Sequence, residues 1–248
     1  MVEATLAQKR RAIRPLLDER KPADGMAVYY AFYHADERTQ LLTYPPEGSP
    51  ARAYAAVSRT GIDLFRPLLT LRLGEDEPEA AADLIHGALR PGASLFIHAP
   101  AEYRPLLAAL FDVSAEKELL LYRLDASRFE PIVNVLVMKS PTPDGMARYI
   151  IRPTGPQSEG EIGASASLNW QTRHFAEISV YTNPQYRQRG WGRSVVAALV
   201  KDVLEGGRTP LYEVERQNEA SRNVARSVGF VNTNHGKLLL EATLRSRP

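Results

Sequence analysis

S-V-Y-T-N-P-Q-Y-R-Q-R-G-W-G-R-S-V-V-A-A-L-V, Ser179 to Val200, is an alternating strand that runs through a glycine-bearing turn into an amphipathic helix. Upstream, Ala176, Ile178 and Val180 share one strand face while Glu177, Ser179 and Tyr181 share the other, the period of two of a half-exposed strand. Gly190 and Gly192 remove side chains where the helix begins. A ligand can therefore approach the backbone of residues 188 to 193, whose free N–H groups and positive dipole end favour a phosphate. Arg187, Arg189 and Arg193 add charge at the same place.

Other phosphate-binding patterns are not met. A P-loop needs Gly-Lys followed by Ser or Thr, and no such triplet occurs. A dinucleotide fingerprint needs a third glycine where this chain has Val195. Downstream, P-L-Y-E-V-E-R-Q-N-E-A-S-R-N-V-A-R-S-V-G-F reads as a strand over Leu211 to Val214. Asn218 then caps a helix, and Gly229 ends it in a left-handed conformation.

Arg187-x-x-Gly190-x-Gly192 after a strand and before a helix resembles the acyl-CoA pyrophosphate loop of the GNAT superfamily of N-acetyltransferases. Asn218, Ser221, Gly229 and Phe230 match that superfamily's N-x-x-[A/S]…G-F pattern. The resemblance covers roughly residues 132 to 244. It implies a mixed, mostly antiparallel α/β sheet flanked by helices, with acetyl-CoA or another acyl-CoA as co-substrate. Carried over residue by residue, it places the pyrophosphate on Arg187, Gln188, Arg189, Gly190, Trp191, Gly192, Arg193 and Ser194. The thioester falls along Ser179, Val180 and Tyr181, with a backbone N–H near Val180 as oxyanion donor, and Asn218 and Ser221 complete the donor side. Glu177 stands where several members carry a base, and His174 is the alternative. Either is weighed against a plain structural role: a solvated strand glutamate, a neutral loop histidine.

Two features depart from the family pattern. The usual acid is a tyrosine in the helix after Asn218, and the matching position here is Ala225. A thiol of pKa about 8.5 leaves without full protonation, so activity survives the loss, and Ser227 or Tyr212 are substitutes. Family members also place two helices between their first two strands. Here only a Thr, Gly, Pro and Ser loop joins R-Y-I-I-R-P at 148–153 to the strand at 164–170. The N-terminal region is then expected to cover that side of the cleft and define the acceptor, a layout similar to the glycine N-acyltransferase-like branch.

The chain has 248 residues, 44% hydrophobic and 24% charged, enough for one large or two modest domains. With 31 Lys and Arg against 29 Asp and Glu, a net charge of +2 argues against a general affinity for nucleic acid or anionic membrane. There is no cysteine, which excludes disulfides, cysteine-ligated zinc and an acyl-cysteine intermediate. Direct transfer from donor to acceptor in a ternary complex is then preferred. His34, His86 and His98 lack metal-ligand spacing, so no metal is expected. Residues 1–20 read as an amphipathic helix of a cytoplasmic protein, because Glu3, Asp18 and Glu19 sit badly with a transit peptide.

The expected domains are an N-terminal α/β domain over 1–130, a candidate degenerate GNAT-like half, and an acyl-CoA-binding domain over 131–248. No sequence repeat is evident between them. In the first, strands are expected at Met26–Tyr33, Arg38–Tyr44, Ala51–Val57, Leu64–Leu73, Ser94–Pro100 and Leu119–Leu124, and helices at Glu77–Leu89 and Glu102–Phe111. In the second, a strand is expected directly after Pro131. Trp170 and Phe175 are candidates for the acceptor pocket, though aromatics at strand ends are more often core.

Three functions fit. The first is N-acyl transfer from acyl-CoA to a small amine or amino acid, with a homodimer compatible with the sequence and no membrane partner. The second is a transferase on the same fold that uses aminoacyl-tRNA as donor, supported by the basic N-terminal helix alone. The third is a non-catalytic acyl-CoA-binding module, suggested by Ala225.

Overall fold

The computed structural model describes residues 4–46, 50–73, 78–132, 134, 136–143, 145–154 and 160–247. They form two compact units, Met1–Leu119 with Gly236–Pro248, and Leu120–His235. The sequence-based division at 130/131 differs in giving Leu120–Glu130 to the first part and the C-terminal strand segment to the second.

In the first unit, helix α1 (Leu6–Ile13) opens with a reciprocal cap between Thr5 and Gln8 and buries Ala12 and Ile13. Helix α2 (Gly25–Val28) continues into a wider turn over Tyr29–Tyr33. The strand expected at Met26–Tyr33 is thus a helix. Its aromatic, β-favouring composition is overridden because Val28 and Ala31, three apart, both enter a core with Ile13 and Tyr54. Two arginines of this segment make contacts within the unit. Arg10 donates to the carbonyls of Ala31 and His34 and pairs with Asp36 at 2.5 Å, and Arg14 pairs with Glu19.

Strands β1 (Thr39–Tyr44), β2 (Ala53–Ser58) and β3 (Leu68–Arg72) form an antiparallel meander. The strand expected from Leu64 starts only at Leu68; Leu64 and Phe65 sit in an exposed loop turned by Asp63, whose carboxylate accepts from the N–H groups of Phe65 and Arg66. Helix α3 (Pro78–Ala88) leads to β4 (Ser94–Pro100), which runs parallel to β3. Helix α4 (Arg104–Leu110) then leads into β5 (Phe111–Leu124), eight residues longer at its start than expected. Strand order is β1-β2-β3-β4, with the end of the last strand, β11 (Phe230–Leu244), antiparallel beside β4.

In the second unit only Val137–Lys139 forms β6 where a longer strand was expected after Pro131; Val133 and Val135 lie outside the described residues. Strands β7 (Arg148–Ile151), β8 (Ala164–Gln171) and β9 (Phe175–Thr182) are antiparallel neighbours. The loop expected between β7 and β8 falls partly on residues 155–159, outside the described set, and its described residues form no helix. Helix α5 (Trp191–Glu205) leads to β10 (Thr209–Glu215), parallel to β9; helix α6 (Glu219–Val228) then leads to β11. Strand order is β5-β10-β9-β8-β7-β6.

The core of this unit joins Ala176 and Ile178 of β9, Tyr212 and Val214 of β10, and Val195, Val196, Leu199, Val200 and Val203 of α5, the stripe an amphipathic helix buries. Among the described residues, no helix is long and apolar enough to cross a membrane.

Candidate active site

β9 and β10 pair over three rungs, Phe175 with Thr209, Ala176 with Pro210 and Glu177 with Leu211, and then part. Against β8, Asn183 donates to the Gly163 carbonyl, which fixes 163/183, 165/181 and 167/179 as the hydrogen-bonded pairs. Val180 and Thr182 belong to the alternate pairs. Their N–H and C=O groups therefore point away from β8, toward the β10 side, beyond the last rung. The Val180 groups meet no strand there, where the sequence placed the thioester, while the Thr182 carbonyl accepts from Arg187 Nε at 3.5 Å. Ser179 turns to Ser167 (Oγ to Oγ 3.0 Å), and Tyr181 is exposed.

The turn from β9 to α5 is held rigidly. Glu161 accepts from Asn183 Nδ2 at 2.6 Å and from the Tyr186 hydroxyl at 3.0 Å. Tyr186 stacks on Trp191 at 5.1 Å, and the Arg189 guanidinium lies 5.3 Å and 5.6 Å from the two ring centres. Gln188 and Gly190 adopt φ of 63° and 74°, a turn conformation that gathers backbone N–H groups toward one side. No side chain caps α5. Its first N–H groups are left to solvent or a ligand, and Arg187, Arg189 and Arg193 have no carboxylate partner among the described residues.

Two glycines permit close approach. A Cβ on Gly192 would lie 2.8 Å from Thr182 Oγ1, so α5 starts against the open end of β9. A Cβ on Gly163 would lie 2.4 Å from the Trp191 ring. Gly163→Ala is therefore expected to displace Trp191 and cost about 1–3 kcal/mol, the usual cost of overpacking. Chemical denaturation with Trp191 fluorescence would measure both effects.

The other donor-side residues are already engaged. Ser194 Oγ is buried between the Gly190 carbonyl and Asn134 Nδ2, at 3.2 and 3.1 Å. Asn218 caps α6 by accepting from the Ser221 N–H at 3.0 Å. Ser221 Oγ meets the Tyr212 hydroxyl at 2.8 Å. Tyr212 packs on Phe230, and burial pushes its phenol up to about 12, so it remains a proton donor at neutral pH. Ala225 is fully buried in the core, and Ser227 Oγ is turned back to the Val224 carbonyl.

Glu177 is 3% exposed, and its Oε2 has no hydrogen-bond partner. Burial holds its carboxyl well above the usual range, the charge of Glu213 adds to this, and the Asn169 and Trp170 side chains offset it only in part. Glu213 follows Leu211 by two residues, hence lies on the same sheet face as Glu177 and past the last rung. The sequence shows Glu213 only as one of two glutamates in L-Y-E-V-E; its relation to Glu177 needs the register. Glu161, Gly163 and Asn134 were likewise invisible, since their partners are remote in the chain. His174 precedes β9 at the closed end, where its carbonyl accepts from Thr209. At about 3.3 Å per residue it lies roughly 20 Å along the strand from Val180, so the structure does not bring it to the opening. Trp170 and Phe175 are both buried. Among the described residues there is no group of three metal-ligating side chains.

Residues 157–238 match the family model described as GNAT acetyltransferase. That stretch falls in the second unit and its neighbouring strand, and spans β8, β9, α5, β10 and α6. Over 83 residues the chain is 36% identical to an L-amino acid N-acyltransferase of Escherichia coli strain K12, covering 31% of this chain and 48% of the relative. The chain thus spans about half the length of that curated relative. Among solved structures, a tandem GNAT protein from the clavulanic acid biosynthesis pathway superposes with a TM-score of 0.58 at 13% identity, over 98% of this chain and 96% of the other. A Drosophila protein superposes with a TM-score of 0.69 at 10% identity, over 99% and 98%. These two likenesses concern the fold alone.

Proposed function

We propose that the protein is an N-acyltransferase that moves an acetyl or other short acyl group from acyl-CoA directly to the amine of a small molecule or amino acid. The observation that carries this reading is the uncapped start of α5. Its free N–H groups, Gly190 and Gly192, and arginines without carboxylate partners among the described residues meet the backbone of β9 at Val180 beyond its last rung with β10. A pyrophosphate fits the first and a thioester the second. The similarity to an L-amino acid N-acyltransferase supports the acceptor class.

In this mechanism the acceptor ammonium gives a proton to the Glu177 carboxylate. The freed lone pair attacks the thioester carbon, and the tetrahedral oxyanion is stabilised by the Val180 N–H. Collapse breaks the carbon–sulfur bond and expels CoA as thiolate; the nitrogen of the intermediate gives up its second proton through water, and the thiolate takes one from the Tyr212–Ser221 pair, which water reprotonates, or from water directly. A raised proton affinity suits Glu177 to this work, because it narrows the gap to an amine of pKa about 10. No observation favours an aminoacyl-tRNA donor, and Arg10, one of the basic residues of α1, is bound inside its own unit.

The test is release of CoA thiol from acetyl-CoA across a panel of L-amino acids and simple amines. Saturable release that needs an amine is the expected result, with the N-acyl product seen by mass spectrometry. Release at the same rate with and without every amine would refute the reading.

A further inference from the structure

The two units repeat one plan. In each, three antiparallel strands lead to a helix, a strand parallel to the third and a second helix, and the chain then runs into a long strand that crosses the boundary between the units: β1-β2-β3-α3-β4-α4-β5 and β7-β8-β9-α5-β10-α6-β11. The parallel pairs even match in length. β3 and β4 pair at Leu68 with Phe96, Leu69 with Ile97 and Thr70 with His98, three rungs and then a parting, as β9 and β10 do. The last rung puts Thr70 at the position of Glu177, and three residues on puts Leu73 at the position of Val180. The first unit thus contains the counterpart of the backbone that the second offers to a thioester.

That counterpart is filled. The Leu73 N–H donates to the Tyr103 hydroxyl at 3.1 Å, and the same hydroxyl lies 3.3 Å from the Leu73 carbonyl. Tyr103 comes from the turn that follows β4, so its phenol reaches across the parting from the strand opposite. In the sequence, Gly74-Glu75-Asp76-Glu77 follows β3 where an arginine-bearing segment follows β9, and these four residues lie outside the described set. Thr70 supplies no base.

We propose that the first unit is a second copy of the donor cleft, closed by its own tyrosine, so that the chain takes up a single acyl donor and Tyr103 stands in for the thioester carbonyl on Leu73. The stoichiometric half of this rests on the reading of the second unit as the donor site.

The experiment has two arms on the full chain. Calorimetric titration with acetyl-CoA is expected to give one equivalent per chain, weakened by at least about 100-fold in Gly192→Glu; two equivalents, or an equivalent bound with wild-type affinity in Gly192→Glu, would overturn the proposal. Amide hydrogen exchange followed by NMR is expected to show the Leu73 N–H exchanging at least about tenfold faster in Tyr103→Phe, while Leu69, in the ladder, is unchanged, since removing the acceptor leaves that N–H unpaired. An unchanged Leu73 rate would overturn the role of Tyr103. No uptake of acetyl-CoA at all would refute the donor reading of the second unit, and the Leu73 rate would still decide whether the first cleft is closed.

Discussion

Gly192→Glu is expected to weaken acetyl-CoA binding by at least about 100-fold, while Gly192→Ala weakens it only a few-fold. Both variants place a Cβ near Thr182 Oγ1, at 2.8 Å before any adjustment. That neighbour is the end of a side chain and can turn aside, so the steric cost is common to both and modest. The glutamate alone adds a carboxylate where the α5 dipole and the free N–H groups favour an anion. Losing two charge-assisted hydrogen bonds, at about 1.5–3 kcal/mol each, corresponds to a factor of 100 or more. Titration calorimetry on the three proteins at one salt concentration would check it. Equal losses in Ala and Glu would show that space, not charge, governs the loop, and would remove the pyrophosphate from the proposed site.

The loop was legible because its chemistry is local. Strand alternation, two glycines, three arginines and the apolar stripe of α5 all fall within Ala176 to Val203, and the structure places each where its spacing requires. The caps at Asn218 and Gly229 were readable for the same reason, with Gly229 left-handed at φ 105°. What escaped the sequence depends on pairing between distant residues. Met26–Tyr33 carries strand-favouring aromatics, yet its burial against Ile13 and Tyr54 selects a helix. The tandem plan leaves no residue pattern, because Thr70 replaces a glutamate and an acidic segment replaces an arginine-rich one while the order of strands and helices persists. Register is the missing knowledge in each case: it makes Glu213 a neighbour of Glu177 and Leu73 a partner of Tyr103.

Glu177→Gln is expected to lower kcat by about 10²–10⁴, the range of general acid–base contributions, and to leave acetyl-CoA affinity unchanged. In the wild type, activity should rise with pH through the raised pKa of Glu177, because only the carboxylate accepts a proton. Glu213→Gln removes a negative charge from the same face of the opening. The acid limb of kcat/KM should therefore move to lower pH, with the shift read against an unchanged basic limb.

Stability gives an independent check of sign. Below the unfolded value near 4.5 both folded and unfolded Glu177 are protonated, and the group has no pH-dependent effect. As pH rises above that value, the unfolded chain releases the proton first, because the folded carboxyl holds it more tightly. Wild-type stability then falls with pH until the folded pKa is passed, whereas the glutamine variant, with no proton to release, loses nothing. The melting temperature of Glu177→Gln should thus exceed that of the wild type by an amount that is small at about pH 4 and grows toward about pH 8. A difference that does not change with pH would mean that Glu177 carries its charge in the folded protein as readily as in water, which its burial and its unpartnered Oε2 oppose.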